Sequence, residues 1–157
     1  MLCRNSYPQD YIDECRASME AQLAAYGALV AAARAKAGAD DRALGSSLEA
    51  FEPLFFGNLV IVLDGYFVHR ARMMEGKDGN VLNEFRMICT SILENGGVMS
   101  MSKTNKSIKY DPAKSVLGLE AGKPIRLTET EFLALFRAFL AEIEARFASS
   151  ERPAKTG

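Results

Sequence analysis

Chemistry in this chain would have to rest on very few side chains. There is one histidine, His69, three cysteines, Cys3, Cys15 and Cys89, and a short lysine-rich run. A bundle metal centre built from paired Glu-x-x-His motifs needs at least two histidines, and a three-histidine zinc site needs more. Magnesium held by carboxylates alone would call for acids at i, i+3 or i+4 on an otherwise apolar face, and no such pair occurs, so neither a metal nor a cofactor is expected. The cysteines are odd in number and lack a C-x-x-C pair, the pattern of reduced intracellular thiols. Cys15 and Cys89 fall on apolar helical stripes and read as small hydrophobes. A G-x-S-x-G nucleophile elbow is absent. His69 is the one side chain that titrates near neutrality, so an enzyme here would use it as general base. No acid sits beside it in sequence, and Glu84 on the following helix is the residue that could orient it across the turn.

Two runs imitate nucleotide-binding motifs. Residues 59–64, Leu-Val-Ile-Val-Leu-Asp, look like an apolar strand ending in a magnesium-supporting aspartate, and residues 118–123 look like a phosphate loop. The loop is one residue short, Pro124 stands where serine or threonine is needed, and the two motifs come in reversed order.

Binding is easier to place than catalysis. At 100° per residue, Asn58, Val62, Gly65, His69 and Arg72 share a stripe on a helix whose other faces are aliphatic and aromatic. That predicts a polar stripe on a buried helix, with Gly65 leaving room beside His69 for a ligand or a close neighbour. The plainer reading is that His69, Arg70 and Arg72 serve the helix C-terminal dipole. Residues 101–114 hold Lys103, Lys106, Lys109 and Lys114 against Asp111, a local charge of +3, with Ile108 and Tyr110 interleaved. This suits an anionic small molecule or an acidic partner, and equally a solvated loop.

The elements that must position these residues are helical. Ile12, Cys15, Met19, Leu23, Tyr26 and Val30 recur at three and four, which predicts a helix over residues 8–36, with Ser6 and Gln9 as a capping pair. A loop follows to Ser46. Ser46 and Glu49 form a capping-box candidate, but Pro53 should break whatever begins there, placing the second helix at 53–75. Between 54 and 68 that helix is apolar nearly all round, as when a helix is buried on most sides or shared with a second subunit. Residues 76–80 turn, and a third helix covers 80–94, with Val81, Phe85, Cys89 and Ile92 as its stripe and Asn95-Gly96-Gly97 as its end. The fourth begins with a Thr128/Glu131 capping box and a Leu127/Phe132 staple, and buries Phe132, Phe136, Phe139, Ile143 and Phe147. Residues 95–127 are too long to be structureless, and 115–119 with 124–127 could pair as a small hairpin.

At 157 residues and 48% hydrophobic content the chain reads as one domain, 1–150, with a frayed tail at 151–157. A net charge of −1 gives no field that would gather nucleic acid or an anionic membrane. The first ten residues lack the apolar run of a secretory signal, and residues 54–68, interrupted by Asn58 and Asp64, are too short and polar for a bilayer. A cytoplasmic location is expected. Residues 57–70 and 108–119 resemble a conserved-hypothetical bacterial family of small helical proteins with no assigned activity. The resemblance covers about residues 48–148, implies that both runs belong to one domain, and transfers no catalytic residue.

The expected fold is an all-α, up-and-down bundle of four main helices with one long connection before the last. The apolar surplus on the second helix predicts a homodimer through it. The leading functional reading is a non-enzymatic binding protein with an anionic small-molecule pocket lined by Asn58, His69, Arg70, Arg72, Asn83, Arg86, Tyr110 and Lys114. The alternative is a structural or protein-interaction module with no ligand site. The third reading is an enzyme using His69.

Overall fold

The computed structural model describes residues 6–37, 41–73, 80–100 and 110–149, with the backbone alone described at 37 and 68–73. Four helices carry the described residues: α1 (Gln9–Ala37), α2 (Arg42–Met73), α3 (Asn80–Glu94) and α4 (Glu129–Phe147). Two residues before α1, β1 (Tyr7–Pro8), lie parallel to two residues after α4, β2 (Ala148–Ser149), with Tyr7 opposite Ala148. The all-α bundle with a long connection before its last helix is therefore the observed architecture.

On α1 the three-and-four spacing does what it implies: Ile12, Cys15, Met19 and Tyr26 are buried, and Leu23 and Val30 pack against the core from its edge. The helix starts one residue later than expected. The Gln9 amide donates to Asp13 (3.0 Å) and to Glu144 on α4 (3.2 Å). Glu144 also takes Arg16, which fastens the first turns of α1 to the end of α4.

The second helix differs most from expectation. It starts at Arg42, not at Pro53, because Asp41 caps it: an Asp41 carboxylate oxygen accepts the Leu44 amide at 3.0 Å. Ser47, inside the helix, donates back to the Ala43 carbonyl (2.9 Å), so the Ser46/Glu49 pair does not mark a start. Pro53 sits inside α2 without disturbing its dihedrals. A proline here removes the bond to the carbonyl four residues back, a cost that tertiary packing can offset. Phe56, Leu59, Val60, Leu63 and Phe67 supply that packing, each at most 2% exposed. The break in α2 falls instead at Phe67 (φ −122°, ψ 15°).

Helix α3 has the expected bounds. It ends on two left-handed glycines, Gly96 (φ 61°) and Gly97 (φ 76°), where the Asn95 and Gly97 amides both donate to the Ser91 carbonyl at 3.1 Å. The start of α4 also matches: Thr128 and Glu131 form a reciprocal capping box, and Leu127 and Phe132 are buried beside it.

In the long connection, residues 124–127 do not pair with 115–119. Pro124 bridges Val98 antiparallel, with Met99 donating to Lys123 (2.9 Å), Gly122 to Met99 (2.8 Å) and Ile125 to Gly97 (2.7 Å). The reason is Glu84. Its buried carboxylate accepts the Ser115 hydroxyl (2.7 Å) and the amides of Val116 (2.7 Å) and Leu117 (3.0 Å), so those amides are not offered to a ladder.

The core is aromatic where the helices cross: Phe85 meets Phe139 at 4.3 Å between ring centres, and Phe56 meets Phe132 at 5.5 Å. Helices of 29 and 32 residues span about 43 and 48 Å, whereas α3 and α4 span only about 22 and 28 Å. The Glu129 amide at the head of α4 donates to Glu52 (3.3 Å), and Tyr26 stacks on Phe55 (4.7 Å), which marks the level where α4 stops. Beyond it, the end of α1 and the start of α2 continue as a two-helix arm bearing Leu29, 67% exposed, and Phe51, 44% exposed.

Candidate functional site

A groove of about 470 Å³ lies on the outer side of α2, within the size range of small-ligand sites. Leu54 and Asn58 on α2 form one wall and Ile92 on α3 the floor, while Gly97, Ile125 and Arg126 close the other side. Local chemistry explains its shape. Gly57 faces α3, where a Cβ would make an ordinary 3.8 Å contact with the Ile92 side chain. The paired glycines turn the chain sharply off α3, and the Val98–Pro124 bridge then lays Ile125 and Arg126 along the groove. Leu54 is 66% exposed at its rim, and among the described residues Arg126 is the one charged lining side chain and Asn58 the amide. Such a surface suits an apolar group carrying a negative charge.

The residues singled out from sequence are divided between places. Asn58 lines the groove. Asn83 is 3% exposed inside the bundle, and Arg86, on the same helix, is half-buried. Tyr110 is half-buried, and its hydroxyl has no hydrogen-bond partner among the described residues. Lys114 is exposed in a short 3₁₀ turn (Pro112–Lys114), 3.8 Å from Asp111. Asn80, the first residue of α3, exchanges two hydrogen bonds with the Asp111 backbone, which fixes Tyr110 and the 3₁₀ turn near the start of that helix. The groove is at its other end, about 18 Å away along the helix. Asn58 therefore does not share a pocket with Tyr110 and Lys114. His69, Arg70 and Arg72 lie on the last turns of α2, and their side chains fall outside the described residues.

The stripe through Asn58, Val62 and Gly65 is not on a buried face. Asn58 and Gly65 are exposed and Val62 is 38% exposed. Among the described residues, a Cβ on Gly65 would meet nothing within 4 Å. The 3.6-residue period grouped these residues correctly, but which face a bundle covers depends on where α3 and α4 land.

The two described thiols, Cys15 and Cys89, are held away from reactivity. Burial pushes the Cys89 thiol up to about 12, the Asp64 charge and hydrogen bond push the same way, and Arg86 pulls it down. Burial also raises Cys15, against a lowering hydrogen bond with Tyr11, whose own hydroxyl is pushed up to about 12 by burial and then by Cys15. Glu84, the residue expected to orient His69, spends its oxygens on the three donors at 115–117. Among the described residues no three of histidine, cysteine, aspartate and glutamate stand together as a metal site.

Sequence reasoning did not find Leu54, Ile92, Ile125 or Arg126. The Gly96-Gly97 turn and Pro124 were visible in sequence, but nothing local shows that they meet. Comparison with protein-family models, with curated protein sequences and with solved structures finds no match.

Proposed function

We propose that this chain is a non-enzymatic binding protein whose binding surface is the groove on the outer side of α2. One observation carries the reading: a cleft of ligand size, walled by aliphatic side chains with Leu54 66% exposed, has Arg126 as its single charged lining residue among the described residues. Leaving a leucine that exposed forgoes about 1–2 kcal/mol of burial, which a bound apolar group would recover. The anionic ligand expected from sequence thus keeps its charge, but its main contacts move from the His69 end of α2 to the groove. Raised thiols and a Glu84 committed to the loop favour binding over catalysis. The cytoplasm, with its reducing poise, fits two buried free thiols.

The reading is tested by fluorescence titration with anilinonaphthalene sulfonate, an apolar sulfonate. Saturable binding at one site is expected, weakened about tenfold, or 1.4 kcal/mol, by Leu54→Asp and by Arg126→Ala. Equal binding by all three proteins would remove the groove from consideration.

A second reading, an interaction module that dimerises through α2, is favoured by a separate observation. Arg42–Phe67 is apolar and long enough to cross a membrane by length and composition, longer than the run expected from sequence, and only 22% of its most apolar window is buried. Its outer face carries Phe51, Leu54 and Val62, all more than a third exposed. Exposed apolar side chains on one helix face are what a second copy would cover.

A further inference from the structure

Among the described residues, nothing within α2 causes its break. Sharp departures from helical geometry normally trace to proline, to glycine pairs or to groups inserted into the hydrogen-bond ladder. Pro53 lies fourteen residues before the break and leaves the helix undisturbed, and Gly65, two residues before it, has helical dihedrals. What meets the break comes from outside. The Tyr11 hydroxyl donates to the Tyr66 carbonyl at 2.6 Å, and the Tyr7 hydroxyl donates to the Phe67 carbonyl at 3.2 Å. In an unbroken helix those two carbonyls accept from the amides of residues 70 and 71. The Phe67 ring, 1% exposed, is held edge-on by Tyr7 at 4.9 Å, by Tyr11 at 6.0 Å and by Phe139 at 5.6 Å. Tyr7 in turn is placed by the pairing of β1 with β2, directly after α4.

We infer that Tyr7 and Tyr11 form a catch that holds a hinge in α2 at Phe67, so that docking of the amino-terminal strap against α4 sets the course of the α2 backbone over residues 68–73. Those residues carry His69, Arg70 and Arg72, the densest cationic stretch of α2. The catch is a positioning device for them: a strap released from β2 withdraws Tyr7, and the carbonyls then return to the helical ladder. By linkage, anything that binds residues 68–73 in one direction better than the other also favours docking or release of the strap. The inference does not depend on the groove, which lies at the far end of α3.

The test is hydrogen–deuterium exchange read by mass spectrometry on the full chain carrying Tyr7→Phe and Tyr11→Phe together. Both rings that pack on Phe67 remain and only the hydroxyls go. Exchange of residues 68–73 is expected to change by about tenfold, with peptides from α3 and α4 as in the parent. Ser18→Ala cuts the hydroxyl bond to the Tyr66 side chain (2.9 Å) and spares both carbonyl contacts, so it is expected to leave residues 68–73 unchanged. No change in the double variant, an equal change across all four helices, or a Ser18→Ala effect as large as that of the double variant would each overturn the catch. Tyr11→Phe alone, which keeps the Tyr7 anchor in β1, reads the same region if the double variant does not fold.

Discussion

Glu84 is the side chain on which most of the long connection depends. A buried carboxylate accepting three hydrogen bonds is an arrangement in which losing one partner is expensive, because the donors left behind are stripped of water. Glu84→Ala is expected to cost about 2–4 kcal/mol in urea denaturation and Glu84→Gln about half as much, since the amide keeps one acceptor. Cys89 makes a second prediction, in pH. Its thiol moves from 9.0 to about 12 and the Tyr11 hydroxyl from 10.0 to about 12. Both are acids whose proton is held more tightly in the folded chain. Stability from this source is therefore complete below about pH 9 and is lost as pH rises toward 12, where the unfolded chain gives up protons that the folded chain keeps. Cys89→Ser removes one of the two groups, so denaturation midpoints measured between pH 9 and 11 are expected to fall less steeply in that variant. An unchanged slope would mean that Cys89 does not titrate as its burial requires.

At the scale of elements, legibility followed how local each signal was. The bounds of α3 and the cap of α4 were readable because Asn95-Gly96-Gly97 and Thr128-x-x-Glu131 act within one turn of chain. The start of α2 is not legible because Pro53 would end a helix that stands alone, whereas here five core residues after it outweigh the lost bond. The hairpin fails for the opposite reason: residues 115–119 have a strand-like sequence, but the Glu84 carboxylate takes the amides of Val116 and Leu117. The Phe67 break left no trace in sequence, since its partners are tyrosines sixty and fifty-five residues away. Two substitutions weigh these terms. Asp41→Ala removes the cap of α2 and is expected to cost about 1 kcal/mol. Pro53→Ala restores an amide to the helix interior and is expected to stabilise by about 1–3 kcal/mol, read as a higher urea midpoint with an unchanged denaturant slope.

For the whole molecule, the unequal helix lengths matter most. Because α3 and α4 are shorter than the pair they pack on, α2 keeps an apolar outer face and the end of α1 and start of α2 run on past the head of α4. The same exposed residues serve the two functional readings, since Leu54 is at once the rim of the groove and the centre of the face a second copy would cover. Sedimentation equilibrium separates them: a mass twice the 17.2 kDa of one chain, returning to the single value in Phe51→Asp, is expected if the face pairs with itself. The sequence made the apolar surplus of α2 plain, but only the placement of 122–126 beside α2 turned that surplus into a cleft with a cation at its edge.

The most direct measurement of the binding reading is a two-dimensional amide NMR titration with decanoate, an apolar carboxylate, on the isotope-labelled chain. Shifts are expected to cluster on Leu54, Asn58, Ile92, Gly97, Ile125 and Arg126, and to weaken in Arg126→Ala. Shifts confined to residues 69–72, 83–86 and 110–114 would contradict the groove and return the site to the lysine end of the connection. The absence of any shift would contradict the ligand reading and leave the α2 face as a protein interface.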